Sequence, residues 1–503
     1  MSFVIKLHYA MKPKDLLKLG YQPGPAIGVA LKLIPDAQRA LGARALEQDL
    51  EALLKNPAAY INHAHLAPLA QALIEQIANR KTYTERDHPA PYQIWGQNLE
   101  AGALEQMKNA ARLPVAVSGA LMPDAHQGYG LPIGGVLATR NAVIPYAVGV
   151  DIACRMKLTV LDLPAADLKK LHDQLAKTLE RETIFGVGAS QKKIPDHQVL
   201  EQDWSITPLT QHLFDKAAIQ LGTSGSGNHF VEFGILPVKD EGRRMKDETH
   251  KNQTADSSSS DSSFILHPSA FDSLAPGQYL ALLSHSGSRG AGAAIADHYS
   301  KLAMSLHPEL PPELRRLAWL DLDSDPGREY WAAMNLMGQY AHANHDIIHR
   351  KIVKALKTKV LASVENHHNF AWKEIHNGEE VIVHRKGATP AGQGVLGVIP
   401  GSMATPGFVV KGRGSAPSLN SASHGAGRAM SRTAAKEKFR WSHVKPILEA
   451  AGVTLLSAGI DEVPGSYKNI HDVMNAQADL IEILAQFDPK IVKMAPAGEA
   501  PED

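Results

Sequence analysis

Five short stretches of this 503-residue chain gather residue types that hold metal ions. They are Asp151-Ile152-Ala153-Cys154, Asn228-His229, His285 within Ser284–Gly290, His368-Asn369, and His424 within Ser423–Arg428. A carboxylate, a thiolate and several imidazoles together suit a transition metal such as Mn, Zn, Fe or Co. Each histidine is flanked by small residues that let backbone pack around it, and by Ser or Asn that can orient it. Metal-bound imidazoles need such partners to fix their tautomer. Ligands scattered over more than two hundred residues point to a catalytic centre. A small zinc module takes its ligands in tight pairs. Taken singly, each residue has a plainer reading: Cys154 as a small buried hydrophobe, Asp151 as a turn cap, any one histidine as structural. The joint pattern favours the metal.

A second constellation handles phosphate. Between Arg385 and Arg440 the chain carries nine Lys or Arg and a single acid, Glu437. Within this stretch lie Pro400-Gly401-Ser402-Met403 and Ser421–Arg428, where small residues expose backbone N–H groups and arginine adds bidentate contacts. The pattern predicts a helix over Arg428–Phe439 whose N-terminus would meet a phosphate. The alternative is a solvated basic helix behind a loop. Gly392–Gly397 fits GxGxxG, but Pro400 follows at once and excludes the helix that a dinucleotide fingerprint must open.

The elements that must position these loops are mixed. Apolar spacing predicts helices over Leu46–Lys55, Leu66–Ile77, Glu100–Arg112, Ala165–Arg181, Arg328–Lys357 and Ile470–Phe487. Val115–Leu121 and Met156–Leu163 read as strands, and Met122–Gly135 as a shaped loop. Without regular βαβ alternation, the fold class is α+β. Residues 1–90 read as a lead-in packed on the core. Residues 91–503 form one large catalytic core, a mixed or antiparallel β centre surrounded by helices. A polar, serine-rich insertion interrupts it at 239–263.

Composition sets outer limits. One cysteine excludes an intramolecular disulfide framework and fits a reducing cytoplasm. No signal peptide and no membrane span are expected. Lys plus Arg equals Asp plus Glu, at 52 each. A nucleic-acid partner would therefore need a local basic face.

The motifs that carry a family resemblance are Pro123–Gly130 with Pro132–Gly135, Val148–Cys154, Gly225–Phe230, His285–Gly290, His368-Asn369, Pro400–Met403 and His424–Arg428, in that order. In these the chain resembles RtcB, the GTP-dependent RNA-splicing ligases. The resemblance implies joining of RNA 2′,3′-cyclic phosphate or 3′-phosphate ends to 5′-hydroxyl ends, with GTP and two Mn²⁺ ions, in tRNA splicing or RNA repair. It implies that His424 is the nucleophile that becomes guanylated. Cys154 would bridge two metals, one also held by Asp151 and His229, the other by His285 and His368. The nucleotide would meet Asn228, His229, Phe230, Glu232, Ser402, His424, Gly425, Ala426, Gly427, Arg428 and Lys493. An activating protein partner is compatible with it. The family usually has glycine where this chain has Ala153 and Arg155, so Arg155 is expected to add bulk and charge beside the metal cysteine. Two other readings remain: a metal-dependent RNA-end phosphoesterase without ligation, and a nucleic-acid-binding protein that has lost catalysis.

Overall fold

The computed structural model describes residues 11–21, 24–78, 83–238, 271 and 274–498; the insertion at 239–263 lies outside them. The chain divides into two compact units, Met1–Tyr83 and Thr84–Asp503. The first is helical, with Pro25–Leu41, Ala43–Lys55 and Ala67–Ala78 as its longer elements. Leu46, Leu50, Leu53, Leu66, Leu69 and Leu73 recur at helical spacing and are buried together. The division falls at 83/84 rather than 90 because residues beyond it bond into the second unit. The Arg86 and Ala90 N–H groups donate to the carbonyls of Arg112 and Ala111, at 3.4 and 2.7 Å.

The second unit is α+β. Its larger sheet runs, in spatial order, Leu396–Ile399, Gly407–Gly412, Ile481–Met494, Phe230–Val238, Gly277–Ser286, Arg155–Pro164 and Val360–His367. All these pairs are antiparallel. Thr454–Ser457 adds a parallel strand beside Ile481–Met494. Side chains alternate across a strand, so the sheet has two distinct faces. On one, Val231, Phe233, Leu282 and Ile491 pack with Leu175, Leu179, Ile348 and Ile352 of the helices Leu168–Glu182 and Asp325–Leu356. The other face carries the chemistry.

A second sheet contains Ala116–His126, Ile133–Thr139, Glu379–Lys386 and Asn369–His376. The short pair Ala388–Pro390 and Ser421–Ser423 delivers the chain to His424.

The structure departs from the sequence expectations in three places. The strand expected to stop at Leu121 continues to His126 through an irregular register, so Asp124 lies in a strand and not in a loop. Ile470–Phe487 is not one helix: a short helix over Ile470–Asn475 is followed by the strand Ile481–Met494. Pairing on both edges of that strand outweighs its helical spacing. The helix near His424 spans only Arg432–Lys438, capped by Ser431, whose hydroxyl accepts the Ala434 N–H at 3.2 Å. His424–Arg428 is therefore loop, and a phosphate there would meet loop N–H groups and not a helix N-terminus. Gly392–Gly397 leads into the strand Leu396–Ile399, as Pro400 requires.

Candidate active site

A cavity of about 930 Å³ opens over the chemical face of the larger sheet. The strand rule decides which residues enter it. From Phe230–Val238 come Phe230 and Glu232, with Asn228 and His229 just before. From the start of Arg155–Pro164 come Met156 and the preceding Cys154, and from Gly277–Ser286 comes His285. His368 follows the Val360–His367 strand, and Asp151 sits in the tight loop before Cys154.

Cys154 is the hub. Its Sγ lies 3.3 Å from His229 Nε2 and 3.1 Å from His285 Nε2. His229 Nε2 is 3.1 Å from Asp151 Oδ2, and His285 Nε2 is 3.2 Å from His368 Nε2. Two buried triads result, Asp151–Cys154–His229 and Cys154–His285–His368, each with ligand atoms within 4.8 Å of one another. The donor set and spacing fit a divalent ion. Bonds of about 2.0–2.3 Å in tetrahedral geometry separate ligand atoms by roughly 3.4 Å.

Burial, then the neighbouring imidazoles, push His285 and His368 well below the usual histidine range, so both are neutral with lone pairs available. The His285 Nδ1–H is placed to donate to the Asn228 carbonyl at 3.3 Å, which leaves Nε2 for a metal. Burial alone would raise the Asp151 carboxyl; the His229 hydrogen bond and the charges of His229 and Arg289 outweigh it and hold Asp151 below its ordinary value. Backbone shape serves the same end. A Cβ on Gly287 would collide with the Asp151 carboxylate. Ala153 is held at φ 58°, and its N–H donates to the Asn369 carbonyl at 2.7 Å. A left-handed alanine costs about 1–2 kcal/mol, which glycine avoids.

His424 lies beside this cluster, its ring centroid 5.0 Å from that of His368. The fully buried Asp124 Oδ2 accepts from His424 Nδ1 at 2.7 Å and from the His424 backbone N–H at 3.1 Å. Burial raises the Asp124 carboxyl, but the His424 hydrogen bond and the charges of His424 and Lys468 prevail, and it stays below its usual value. In the neutral imidazole this contact favours the proton on Nδ1 and leaves the lone pair on Nε2.

Glu232 and Ser402 line the same cavity. Glu232 is paired across the sheet with apolar Leu283 and Val492, and burial pushes its carboxyl well above the usual range. Ser402 Oγ is 2.8 Å from Thr405 Oγ1. Gly425, Ala426, Gly427 and Arg428 also line it. The Arg428 guanidinium donates to the carbonyls of Met430 and Asp461, at 3.1 and 2.9 Å.

Two expectations are corrected. Lys493 does not line the cavity: its neighbours Val492 and Met494 do, and the strand pleat turns Lys493 to the opposite face. There its ammonium donates to the carbonyls of Leu179, Glu180 and Thr183, at 3.2–3.3 Å. Arg155 adds no bulk beside Cys154. It too points away, buried against Glu365 and donating to the Gly338 carbonyl at 3.2 Å.

Sequence reasoning gave no role to Asp124 or Arg289, and counted Lys386 only among the basic residues of the phosphate-handling stretch. Arg289 Nη2 lies 3.3 Å from His229 Nδ1. Lys386 lines the cavity and donates to the Tyr129 carbonyl at 2.5 Å; burial and nearby Arg316 lower its ammonium to about 7. All three stand inside or beside the motifs that drew attention, and their charged types within Gly-rich, apolar runs were the available signal.

The chain matches the family model described as tRNA-splicing ligase RtcB over residues 106–212 and 202–494. It is 34% identical over 428 residues to RNA-splicing ligase RtcB of Escherichia coli strain K12, covering 78% of this chain and 95% of that protein. It is 29% identical over 474 residues to tRNA-splicing ligase RtcB of Methanococcus maripaludis, covering 80% and 92%. It is 28% identical over 461 residues to RNA-splicing ligase RtcB homolog 2 of Entamoeba dispar, covering 78% and 83%.

Proposed function

Because this chain belongs to the RtcB family of RNA-splicing ligases, we propose that it joins RNA 2′,3′-cyclic phosphate or 3′-phosphate ends to 5′-hydroxyl ends through a guanylated His424. The observation that carries this reading is the Asp124–His424 pair at the cavity wall: in the neutral imidazole it favours the Nδ1–H tautomer, whose Nε2 lone pair can act as a nucleophile. A phosphoesterase that works through metal-activated water would need neither GTP nor His424.

The chemistry runs in three transfers. His424 Nε2 attacks the α-phosphorus of GTP; a P–N bond forms, the P–O bond to pyrophosphate breaks, and pyrophosphate leaves. An RNA 3′-phosphate oxygen then attacks the same phosphorus, taking GMP and freeing the imidazole. Finally the RNA 5′-hydroxyl attacks the activated 3′-phosphate, forming the phosphodiester and releasing GMP. A cyclic end is first hydrolysed to the 3′-phosphate. Asp124 steadies the imidazole as it gains positive character.

Asp151, Cys154 and His229 would hold one Mn²⁺, and Cys154, His285 and His368 the other. Bound there, the ions supply charge neutralisation for phosphate and a lowered pKa for water. The arginines and the loop N–H groups of 425–428 would orient the nucleotide phosphates. Glu232 would accept from the N1 and N2 donors of guanine, Phe230 would stack on the base, and Ser402 would border it.

The test is transfer of label from α-labelled GTP to protein, followed by ligation of a 3′-phosphate/5′-hydroxyl RNA pair. Labelling and joined RNA should appear with GTP and Mn²⁺ and vanish in His424→Ala. Labelling that persists in that variant would remove His424 as the nucleophile.

A further inference from the structure

On the opposite face of the larger sheet lies a second cavity, an open groove of about 1350 Å³. Its walls are the end of the Leu168–Glu182 helix, the loop 190–196, the last turns of the Asp325–Leu356 helix and Lys493. Seven Lys or Arg side chains line it against three carboxylates, in a chain whose formal charges cancel overall. Lys192, Lys193 and Lys354 are exposed and make no ion pair among the described residues, so their charge is open to solvent. Lys351 and Lys493 are half-buried; Lys351 reaches Gln191 Oε1 at 2.9 Å, and Lys493 lies over the Phe185 ring at 5.7 Å from its centroid. Burial lowers both ammonium groups, and that of Lys493 is already held by the carbonyls of Leu179, Glu180 and Thr183, so the charge presented to an incoming anion is chiefly that of Lys192, Lys193 and Lys354.

Two features point to the kind of anion. The groove is larger and more open than the roughly 300–1,000 Å³ clefts that enclose small molecules. It also combines a cationic track with an aromatic ring, Phe185, and apolar Ile184 and Ile194. Proteins that follow single-stranded nucleic acid use that pairing, lysine and arginine for the phosphates and an aromatic for a base.

The groove is tied to the catalytic cavity by short connections. Phe185 pairs with Gly225, and the Gly186 N–H donates to the Gly225 carbonyl at 2.9 Å. Gln191 Nε2 donates to the Gly222 carbonyl at 2.8 Å. Both contacts land on the loop that leads into Asn228 and His229. Lys493 stands between Val492 and Met494, which line the catalytic cavity.

We propose that this groove binds the phosphodiester backbone of the single-stranded RNA substrate, several nucleotides away from the ends being joined. The proposal rests on the RNA-ligase reading for the identity of its ligand. It makes affinity depend on RNA length: an oligonucleotide confined to the catalytic cavity ignores the groove, and a longer one uses it.

The test compares the whole protein with a Lys192→Glu, Lys193→Glu, Lys354→Glu variant. Lys192, Lys193 and Lys354 stand outside the catalytic cavity. Fluorescence anisotropy would follow 5′-hydroxyl, 3′-phosphate RNAs of about 4 and about 16 nucleotides across a salt series. The variant should bind the longer RNA roughly tenfold or more weakly, with a salt slope shallower by about 0.7 for each phosphate that the lysines no longer neutralise. Binding of the short RNA should not change. Equal weakening at both lengths, no weakening at all, or weaker binding of inorganic phosphate or GTP in place of long RNA would each overturn the proposal. Labelling of the protein from α-labelled GTP is read alongside. Failure of labelling in the unaltered protein would count against the ligase reading, whereas the length dependence is measured without any reaction.

Discussion

Asp124 and His424 lie three hundred residues apart in sequence and form a two-point contact, side chain to side chain at 2.7 Å and side chain to backbone at 3.1 Å. The same carboxylate oxygen accepts both bonds, so it fixes the position and the tautomer of the histidine together. Asp124→Asn keeps the shape but can present an N–H to Nδ1, which shifts the ring proton to Nε2. Transfer of GMP to protein should then slow by about 10²–10⁴-fold. Single-turnover labelling measures this; a rate within threefold of the unaltered protein would separate Asp124 from the nucleophile's activation.

Cys154 belongs to both metal triads, and His368 to one. Cys154→Ala should therefore weaken both Mn²⁺ sites, by on the order of 100-fold. His368→Ala should weaken one and leave the other near its original affinity. Titration calorimetry with Mn²⁺ gives the stoichiometry directly. Two sites of unchanged affinity in Cys154→Ala would end the bridging role.

Glu232 gives a pH signature. Burial raises its carboxyl well above the ordinary value in the free protein. The N–H donors of guanine favour the ionised form, so binding lowers it again. Affinity for GTP should accordingly rise with pH between the bound and free values, by up to roughly tenfold per pH unit, and fall as pH drops through that window. Glu232→Gln has no proton to lose and should show a flat profile, with binding weaker than that of the unaltered protein above the window. A variant that keeps the original slope would assign the titration to another group.

Arg155, with only 3% of its surface exposed, is buried against Glu365, which also meets Lys157 and His342. Removing one partner leaves the carboxylate incompletely compensated. Arg155→Met should lower stability by about 3 kcal/mol, read from the urea midpoint, while Mn²⁺ affinity stays within a few-fold. A variant of unchanged stability that no longer bound metal would restore Arg155 to the chemistry.

Asp151, Cys154, His229, His285 and His424 drew notice because Gly, Ala or Ser stand within two residues of them in sequence, whereas His368 lies between the strands Val360–His367 and Asn369–His376 with no such neighbour, and only the fold shows that it joins Cys154 and His285. Asp124 stands in one of the family motifs, yet its task could not be read there, since its value depends on a partner three hundred residues away. Lys493 and Arg155 were misplaced for a shared reason. Sequence proximity put them beside the site, but in a strand the immediate neighbour of a cavity residue faces the other way. The run Ile470–Phe487 misled because helical spacing is a local property, and the strand Ile481–Met494 is decided by pairing with Gly407–Gly412 and Phe230–Val238.

The alternation of Cys154, Arg155, Met156 and Lys157 has a consequence for how the site is assembled. Cys154 and Met156 enter the cavity, while Arg155 and Lys157 reach Glu365 behind it. A slip of one residue in the pairing of this strand would carry a guanidinium into the cavity and leave the Glu365 carboxylate with His342 but without Arg155 and Lys157. Both faces would then hold uncompensated charge. The pair behind the sheet thus acts as a key that turns only in the correct frame: the chain cannot close there without also delivering the thiolate to the point where the two triads meet.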